Sequence, residues 1–221
     1  LLRGRSRFYL VIVSSFIFYA AWSVGFALHF LAVVLANYAL IYFLHDRRSR
    51  GLLALIVVGN LLNLFFFKYT YFLFRILSDA TGSAGFAPAA LNDWLSTSLG
   101  FEEIVLPLAI SFYSFQLIAY AVDTYRGQIP ERAAFVDFMV FTLFFPHFVA
   151  GPIMRHSDFV PQLKRIEPDR GKMIEGMFLL LTGLIKKVVV ADNAGLAITD
   201  VFLRPAAYDG VSNVMAAVGY C

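Results

Sequence analysis

Apolar residues run almost unbroken from residue 8 to residue 44. As one helix this stretch would measure roughly 55 Å at about 1.5 Å per residue, well beyond a hydrocarbon core of roughly 30 Å. The pattern therefore predicts two segments. Trp22-Ser23-Val24-Gly25 is the predicted turn, because Trp favours a membrane interface and Gly permits a bend. A third apolar run covers residues 52–77 and contains Lys68, which reads as a headgroup anchor beside Tyr69 and Tyr71. Residues 78–103 are polar, contain Gly and Pro, and predict a loop with a short amphipathic surface helix around 92–99. Further apolar runs follow at 104–122, 133–153 and 173–190, and residues 211–221 read as the opening of another helix. No repeat with a period of 20–50 residues is visible, which excludes a solenoid.

Charge gives these segments a topology. Arg3, Arg5 and Arg7 precede the first run, and Arg47, Arg48 and Arg50 follow the second. The 78–103 loop carries Asp79, Asp93, Glu102 and Glu103 and no Lys or Arg, and Arg126 and Arg132 follow the fourth run. Every crossing then agrees with the excess of cations on the cytoplasmic side of membrane proteins. Arg132 and Arg155 flank the 133–153 run, so both of its ends are expected on the cytoplasmic side, and the run is predicted to be re-entrant.

Composition narrows the class. The chain is 60% hydrophobic and 15% charged, against roughly half and a quarter in soluble domains, and mean hydropathy is +0.72. This predicts an all-α polytopic membrane protein and excludes a soluble enzyme. A net charge of +3 gives no reason to expect a nucleic-acid partner. Cys221 is the one cysteine, so the chain holds neither a disulfide framework nor a thiolate metal site. The first residue is Leu rather than Met and the last run breaks off, so the chain reads as part of a longer protein.

The chemistry concentrates in residues 144–155, Phe-Phe-Pro-His-Phe-Val-Ala-Gly-Pro-Ile-Met-Arg. Helix-breaking residues at membrane depth belong to backbone buried in protein or lining a cavity, and an ionisable group there is a functional candidate. Gly151-Pro152 reads as a turn, since Pro cannot donate and Gly accepts unusual φ. His147 can act as a base, or can be a core imidazole bonded to a carbonyl or to Asp137. His29 and His45 are weaker candidates, and His156 reads as interfacial. Asp123 and Arg126 are neighbours on one face if their helix continues that far, with Gln116 deeper on roughly the same face. Lys164, Arg165, Arg170 and Lys172 form a basic group suited to anionic headgroups or to the phosphates of coenzyme A. Lys186-Lys187 cannot both face lipid, which places them near an interface or along a polar passage.

Taken in order, these motifs resemble the membrane-bound O-acyltransferase (MBOAT) family, most closely its alginate O-acetyltransferase branch. The resemblance rests on Ser14-Ser15-Phe16-Ile17-Phe18-Tyr19, Phe67-Lys68-Tyr69, the 106–116 stretch Leu-Pro-Leu-Ala-Ile-Ser-Phe-Tyr-Ser-Phe-Gln, and Val122-Asp123-Thr124-Tyr125-Arg126-Gly127. It continues through 144–155, Phe159-Val160-Pro161-Gln162-Leu163 and the 183–192 stretch Gly-Leu-Ile-Lys-Lys-Val-Val-Val-Ala-Asp. The ordered set is specific, and no single motif is. It implies a multi-helix funnel with a re-entrant segment, of which 1–221 is the N-terminal part of one membrane domain in a bacterial inner membrane.

It also implies transfer of an acyl group, acetyl in this branch, from a cytoplasmic donor toward an exopolysaccharide such as alginate. Acetyl-CoA or another acyl donor would be a substrate, with no bound cofactor and no metal. Membrane lipid and a periplasmic acyltransferase or polysaccharide-modifying protein are the implied partners. The family's main catalytic histidine belongs to a later Trp-His motif, so it is expected beyond Cys221, and 1–221 alone is expected to be inactive. Gln116, Asp123, Arg126, Pro146, His147, Gly151, Pro152, Arg155, Gln162, Lys186 and Lys187 are the expected funnel residues, and Lys164, Arg165, Arg170 and Lys172 the expected donor-binding ones. A transporter or channel subunit and a non-catalytic scaffold stand as alternatives. Broken helices of transporters come in pairs, and one broken region is clear here.

Overall fold

The computed structural model describes residues 6–99, 102–129, 132, 134–152, 154–164 and 169–220. Arg3, Arg5, Ile153, Arg165 and Cys221 lie outside the described residues. Two compact units divide the chain, 1–165 and 166–221.

The first unit is a helical bundle. α1 (Ser6–Trp22) and α2 (Val24–Arg47) break at Ser23, as the apolar run predicts. Ser23 is extended and caps α2 by accepting from the Phe26 N–H at 3.4 Å. α3 (Arg50–Thr81) begins after Ser49, which accepts from the Leu52 N–H, and ends on Gly82 at φ 64. α4 (Pro88–Leu99) is the short helix expected in the polar loop. α5 (Ile110–Tyr125) starts later than its apolar run, which opens at 104. Pro107 cannot donate and restricts the residue before it, and Ala109 adopts a left-handed φ of 56 at the cap, so helix forms only beyond them. The Tyr19 hydroxyl donates to the Leu108 carbonyl at 2.5 Å and ties this lead-in to α1.

Contacts fix the helix directions. Asn37 faces Asn60, while Phe26 and His29 face Phe67, so α2 and α3 are antiparallel. Phe30 packs on Tyr113 with centroids 4.5 Å apart, and Arg48 reaches Gly127, so α5 runs parallel to α2. α6 (Phe135–Leu143) runs against α2, with Tyr38 packed on Phe135 and Phe138. Arg7 donates to the Lys164 carbonyl at 3.0 Å, and Arg132 pairs with Asp46, its Nε 3.1 Å from Oδ1. Arg7, Arg47, Arg48, Arg50, Arg126 and Arg132 thus gather at one end of the bundle. Tyr71, which donates to Asn92 at 2.6 Å and accepts from the Ile104 N–H at 2.8 Å, marks the other. This grouping is the one the charge pattern predicts.

Val24–Arg47 and Arg50–Thr81 are long and apolar enough to cross a membrane. Between them lies a reciprocal amide pair. Asn60 Nδ2 donates to Asn37 Oδ1 at 2.7 Å and Asn37 Nδ2 to Asn60 Oδ1 at 3.4 Å. Each amide also donates to its own helix, to Val33 and Ile56 carbonyls at 2.8 Å. Large apolar side chains such as Leu28, Leu35, Leu55, Val58, Leu62 and Phe72 point outward from the same helices.

The second unit is one long helical path. α9 (Arg170–Ile185), capped by Asp169, continues through a π-helical segment, Lys186–Ala191, into α10 (Asp192–Leu203), and α11 (Gly210–Tyr220) packs back on α10. The wider π turn brings residues five apart onto one face, and Lys187 pairs with Asp192 across it.

The Asn pair yields a direct test. Asn60→Leu should lower stability by about 1–2 kcal/mol, since it leaves the Asn37 amide without its interhelical partner. A double-mutant cycle with Asn37→Leu should return a coupling of about 0.6–1.7 kcal/mol, read by unfolding of the full-length protein in mixed micelles. Additivity would show the pair to be uncoupled.

Candidate functional site

The 133–153 run forms two short helices. α6 ends at Leu143, Phe144 is extended, and α7 (Pro146–Ala150) follows with Pro146 at its first turn, where a missing N–H costs nothing. The break is satisfied locally and by α1. The Phe145 N–H donates to Ser15 Oγ at 3.4 Å, the His147 N–H to the Phe144 carbonyl at 3.2 Å, and the Gly151 N–H to the His147 carbonyl at 3.0 Å.

Gly151 corrects the expectation drawn from its conformational freedom. Its φ of −77 and ψ of 157 are ordinary extended backbone. Space is the reason for glycine: a Cβ there would lie 2.5 Å from His147 Cα and 3.0 Å from its carbonyl oxygen. The chain after α7 therefore folds directly onto His147. Pro152 is exposed and continues the extended stretch.

His147 is 8% exposed and sits among aromatic rings, with Phe144, Phe159 and Phe112 centroids at 4.8, 5.1 and 6.2 Å. Its Nδ1 is buried and has no hydrogen-bond partner among the described residues. The bond to Asp137 does not form: Asp137 lies on the first turn of α6, away from the break, and pairs with Lys164 at 2.5 Å. Gln116, 1% exposed, donates through Nε2 to the Phe141 carbonyl at 3.1 Å and leaves Oε1 unpartnered. Gln116 and His147 thus flank α6 and the break, each with one buried acceptor or donor unused.

α8 (His156–Lys164) closes this region. His156, Phe159, Val160 and Leu163 follow the i, i+3, i+4, i+7 spacing of one helix face, and that face turns inward. The His156 ring stands edge-on to Tyr120 and Phe141, with centroids at 5.0 and 5.4 Å, and its Nε2 has no partner among the described residues. Burial holds this imidazole below its ordinary range. Asp137 acts the opposite way, and Lys164 acts with burial. An open groove of about 460 Å³ runs beside α8, lined by His156, Ser157, Val160, Pro161 and Lys164.

The predicted residues separate into three places. Gln116, Pro146, His147, Gly151 and Pro152 come together around the break, with Arg155 and Gln162 exposed on the approach to and along α8. Asp123 and Arg126 lie at the end of α5. The helix stops at Tyr125 with Arg126 as its cap, and no ion pair joins Asp123 to Arg126 among the described residues. Arg170, Lys172, Lys186 and Lys187 belong to the second unit. Lys164 is tied to Asp137, so its ammonium is not a free donor-binding cation. Among the described residues no group of three or more His, Cys, Asp or Glu can hold a metal. Sequence reasoning passed over His156 as interfacial, although its helical spacing with Phe159 and Val160 marks an inward face.

About 85% of the chain aligns with curated relatives. It is 35% identical over 193 residues to the probable alginate O-acetylase AlgI of Pseudomonas aeruginosa, covering 85% of this chain and 35% of that protein. It is 34% identical over 195 residues to the same-named protein of Azotobacter vinelandii, covering 86% and 37%. It is 32% identical over 216 residues to the peptidoglycan O-acetyltransferase of Helicobacter pylori, covering 83% and 38%. The chain spans just over a third of the length of these relatives. No family model matches the chain, and no solved structure matches it. The relatives agree with the resemblance read from the motifs.

Two measurements check this geometry. Gly151→Ala should destabilise the full-length protein by about 1–3 kcal/mol through overpacking against backbone. Gly59→Ala, where a Cβ meets nothing within 4 Å, should be neutral or stabilising. The depressed His156 opposes protonation in the folded state, so stability should fall as pH drops through the ordinary imidazole range, about 6.5. His156→Phe should flatten that acid limb in melting curves from pH 8 to pH 5 (about the span of an imidazole titration); an unchanged slope would remove His156 as its source.

Proposed function

We propose that this chain is the N-terminal part of a multi-pass membrane O-acetyltransferase of the MBOAT type that moves an acetyl group toward a glycan hydroxyl. One observation carries the reading: about 85% of the chain aligns with proteins named for O-acetylation of alginate or of peptidoglycan. Both acceptors are glycans, so the shared chemistry is ester formation on a sugar hydroxyl. The cationic end of the bundle supports a cytoplasmic placement of that end. Residues 134–152, broken at Phe144 and folded back so that Gly151 lies on His147, support a re-entrant wall.

The chemistry sets what the wall must do. A hydroxyl or a carrier group attacks the acetyl carbonyl, a base takes its proton, donors hold the developing oxyanion, and the donor's sulfur takes a proton and leaves as thiol when acetyl-CoA is the donor. The main base is assigned to the later Trp-His segment of the whole protein. His147 and Gln116 act as buried polar groups of this wall, each with unused hydrogen-bonding capacity in surroundings that are otherwise aromatic. A periplasmic partner that completes transfer to the polymer fits a protein whose own work lies in the membrane.

The test is acetylation by the full-length protein in cells lacking their own O-acetylases, with ester acetate released by mild base from exopolysaccharide and from peptidoglycan. Acetate is expected on one of these polymers. Alanine at the later histidine should cut it by at least about 100-fold. His147→Ala should cost less than about tenfold at equal expression. Equal losses would move the chemistry onto His147, and no acetate on either polymer would overturn the reading.

A further inference from the structure

Arg48 occupies the one left-handed position between α2 and α3, at φ 42 and ψ 41, with its N–H donating to the Leu44 carbonyl at 2.9 Å. This position follows a helix end and ordinarily belongs to glycine, which adopts it without steric cost. Its guanidinium lies against Gly127. A Cβ on Gly127 would meet Arg48 Nη2 at 2.9 Å, Nη1 at 3.2 Å and Cζ at 3.3 Å, so the bare face of this glycine is the floor under the guanidinium.

Gly127 is itself built by the end of α5. Its N–H donates to the Thr124 carbonyl at 3.0 Å and the Gln128 N–H to the Asp123 carbonyl at 2.9 Å, the paired bonds of a Schellman stop, with Gly127 at φ 75. The motif Asp123-Thr124-Tyr125-Arg126-Gly127 therefore ends a helix, sets Arg126 beside the floor and leaves room for Arg48. Arg47, Arg48, Arg50 and Arg126 are all exposed. Among the described residues no carboxylate pairs with any of the four, and none of their guanidinium groups has a hydrogen-bond partner. The nearby Asp46 is taken by Arg132 and His45.

A solvated basic face needs neither a strained backbone nor a seat for one guanidinium. Here a residue accepts a left-handed conformation, and its planar head lies against Gly127 with its donors unused among the described residues. A planar fork with free N–H groups matches the oxygens of a phosphate. We propose that Arg48, seated on Gly127 and flanked by Arg126, Arg47 and Arg50, is a binding site for a phosphate-bearing ligand. Two sources share that chemistry: the diphosphate of a nucleotide-linked donor and the headgroup of an anionic phospholipid. The site stands or falls by binding alone and does not depend on the acetyl-transfer reading.

The test uses the full-length protein purified in maltoside detergent, with inorganic pyrophosphate as the probe in calorimetric titration. Arg48→Gly is the informative variant, because glycine relieves the left-handed backbone while removing the guanidinium. It should keep or raise the melting temperature and weaken pyrophosphate binding at least tenfold. Arg48→Lys should recover little, since an ammonium is a point charge without the fork, and Arg126→Gln should weaken binding by a smaller factor. Arg75→Gln, which removes an equal charge from α3, should change nothing. Displacement of pyrophosphate by coenzyme A assigns the site to a soluble donor, and displacement by phosphatidylglycerol micelles assigns it to lipid. Absence of pyrophosphate binding, or equal binding by wild type and Arg48→Gly, would overturn the proposal.

Discussion

Polar groups placed between apolar helices must find partners inside the protein, and the arrangement of the bundle follows from how they do so. The Asn37–Asn60 pair is the clearest case. Each amide serves its own helix and the facing one, so α2 and α3 are joined at one register. Interhelical hydrogen bonds of this kind contribute only about 0.6 kcal/mol on average in membrane proteins. Their larger effect is on register, because sliding either helix by one turn would leave two amides facing hydrocarbon. With that register set, Phe67 meets Phe26 and His29 further along the same helices, and the α2–α3 turn is carried to the end of α5.

The same constraint separates backbone from side chains at the break. The irregular stretch after Leu143 satisfies its amides through Ser15, Phe144 and His147. The unpartnered buried atoms around the break are on side chains, and His147 Nδ1, Gln116 Oε1 and His156 Nε2 are among them. Leaving a buried polar atom without a partner costs about 1–3 kcal/mol. Three such atoms within one aromatic region argue for polar lining, since apolar side chains would pack there at lower cost. His29, Asn63 and Tyr113 form a second polar group, with Asn63 interacting with both of the others, and these stand apart from the break.

Much of the helical plan was legible because it depends on local pattern. Apolar runs too long for one crossing forced the break at Ser23, and cations flanking the runs foretold which ends gather together. The short α4 and the broken 133–153 run follow from composition in the same way. What could not be read depends on residues far apart in the chain. Asp137 and Lys164 are well separated in sequence, and no spacing rule joins them, so Lys164 looked free for a donor. Gly151 was legible as special but for the wrong cause, since its crowding against His147 appears only once α7 is folded. Arg48 reads in the sequence as a basic residue after a span, and Gly127 as the last residue of a family-like motif. Their contact exists only because α2 and α5 run parallel.

The cationic end also shows why counting charges is a weak guide to binding. Arg132 and Lys164 sit in ion pairs and contribute little net field, because Asp46 and Asp137 cancel them at close range. Arg47, Arg48, Arg50 and Arg126 are uncancelled among the described residues, and uncancelled cations are the kind that orient helices in a membrane and draw in anions. Orientation is indifferent to how a charge is held, whereas binding is not. A long side chain free in solvent loses roughly 2 kcal/mol of rotamer entropy when it is fixed on a ligand. Seating Arg48 on Gly127 incurs part of that loss in advance, during folding. This pre-organisation makes Arg48 a better candidate for ligand contact than its more freely solvated neighbours.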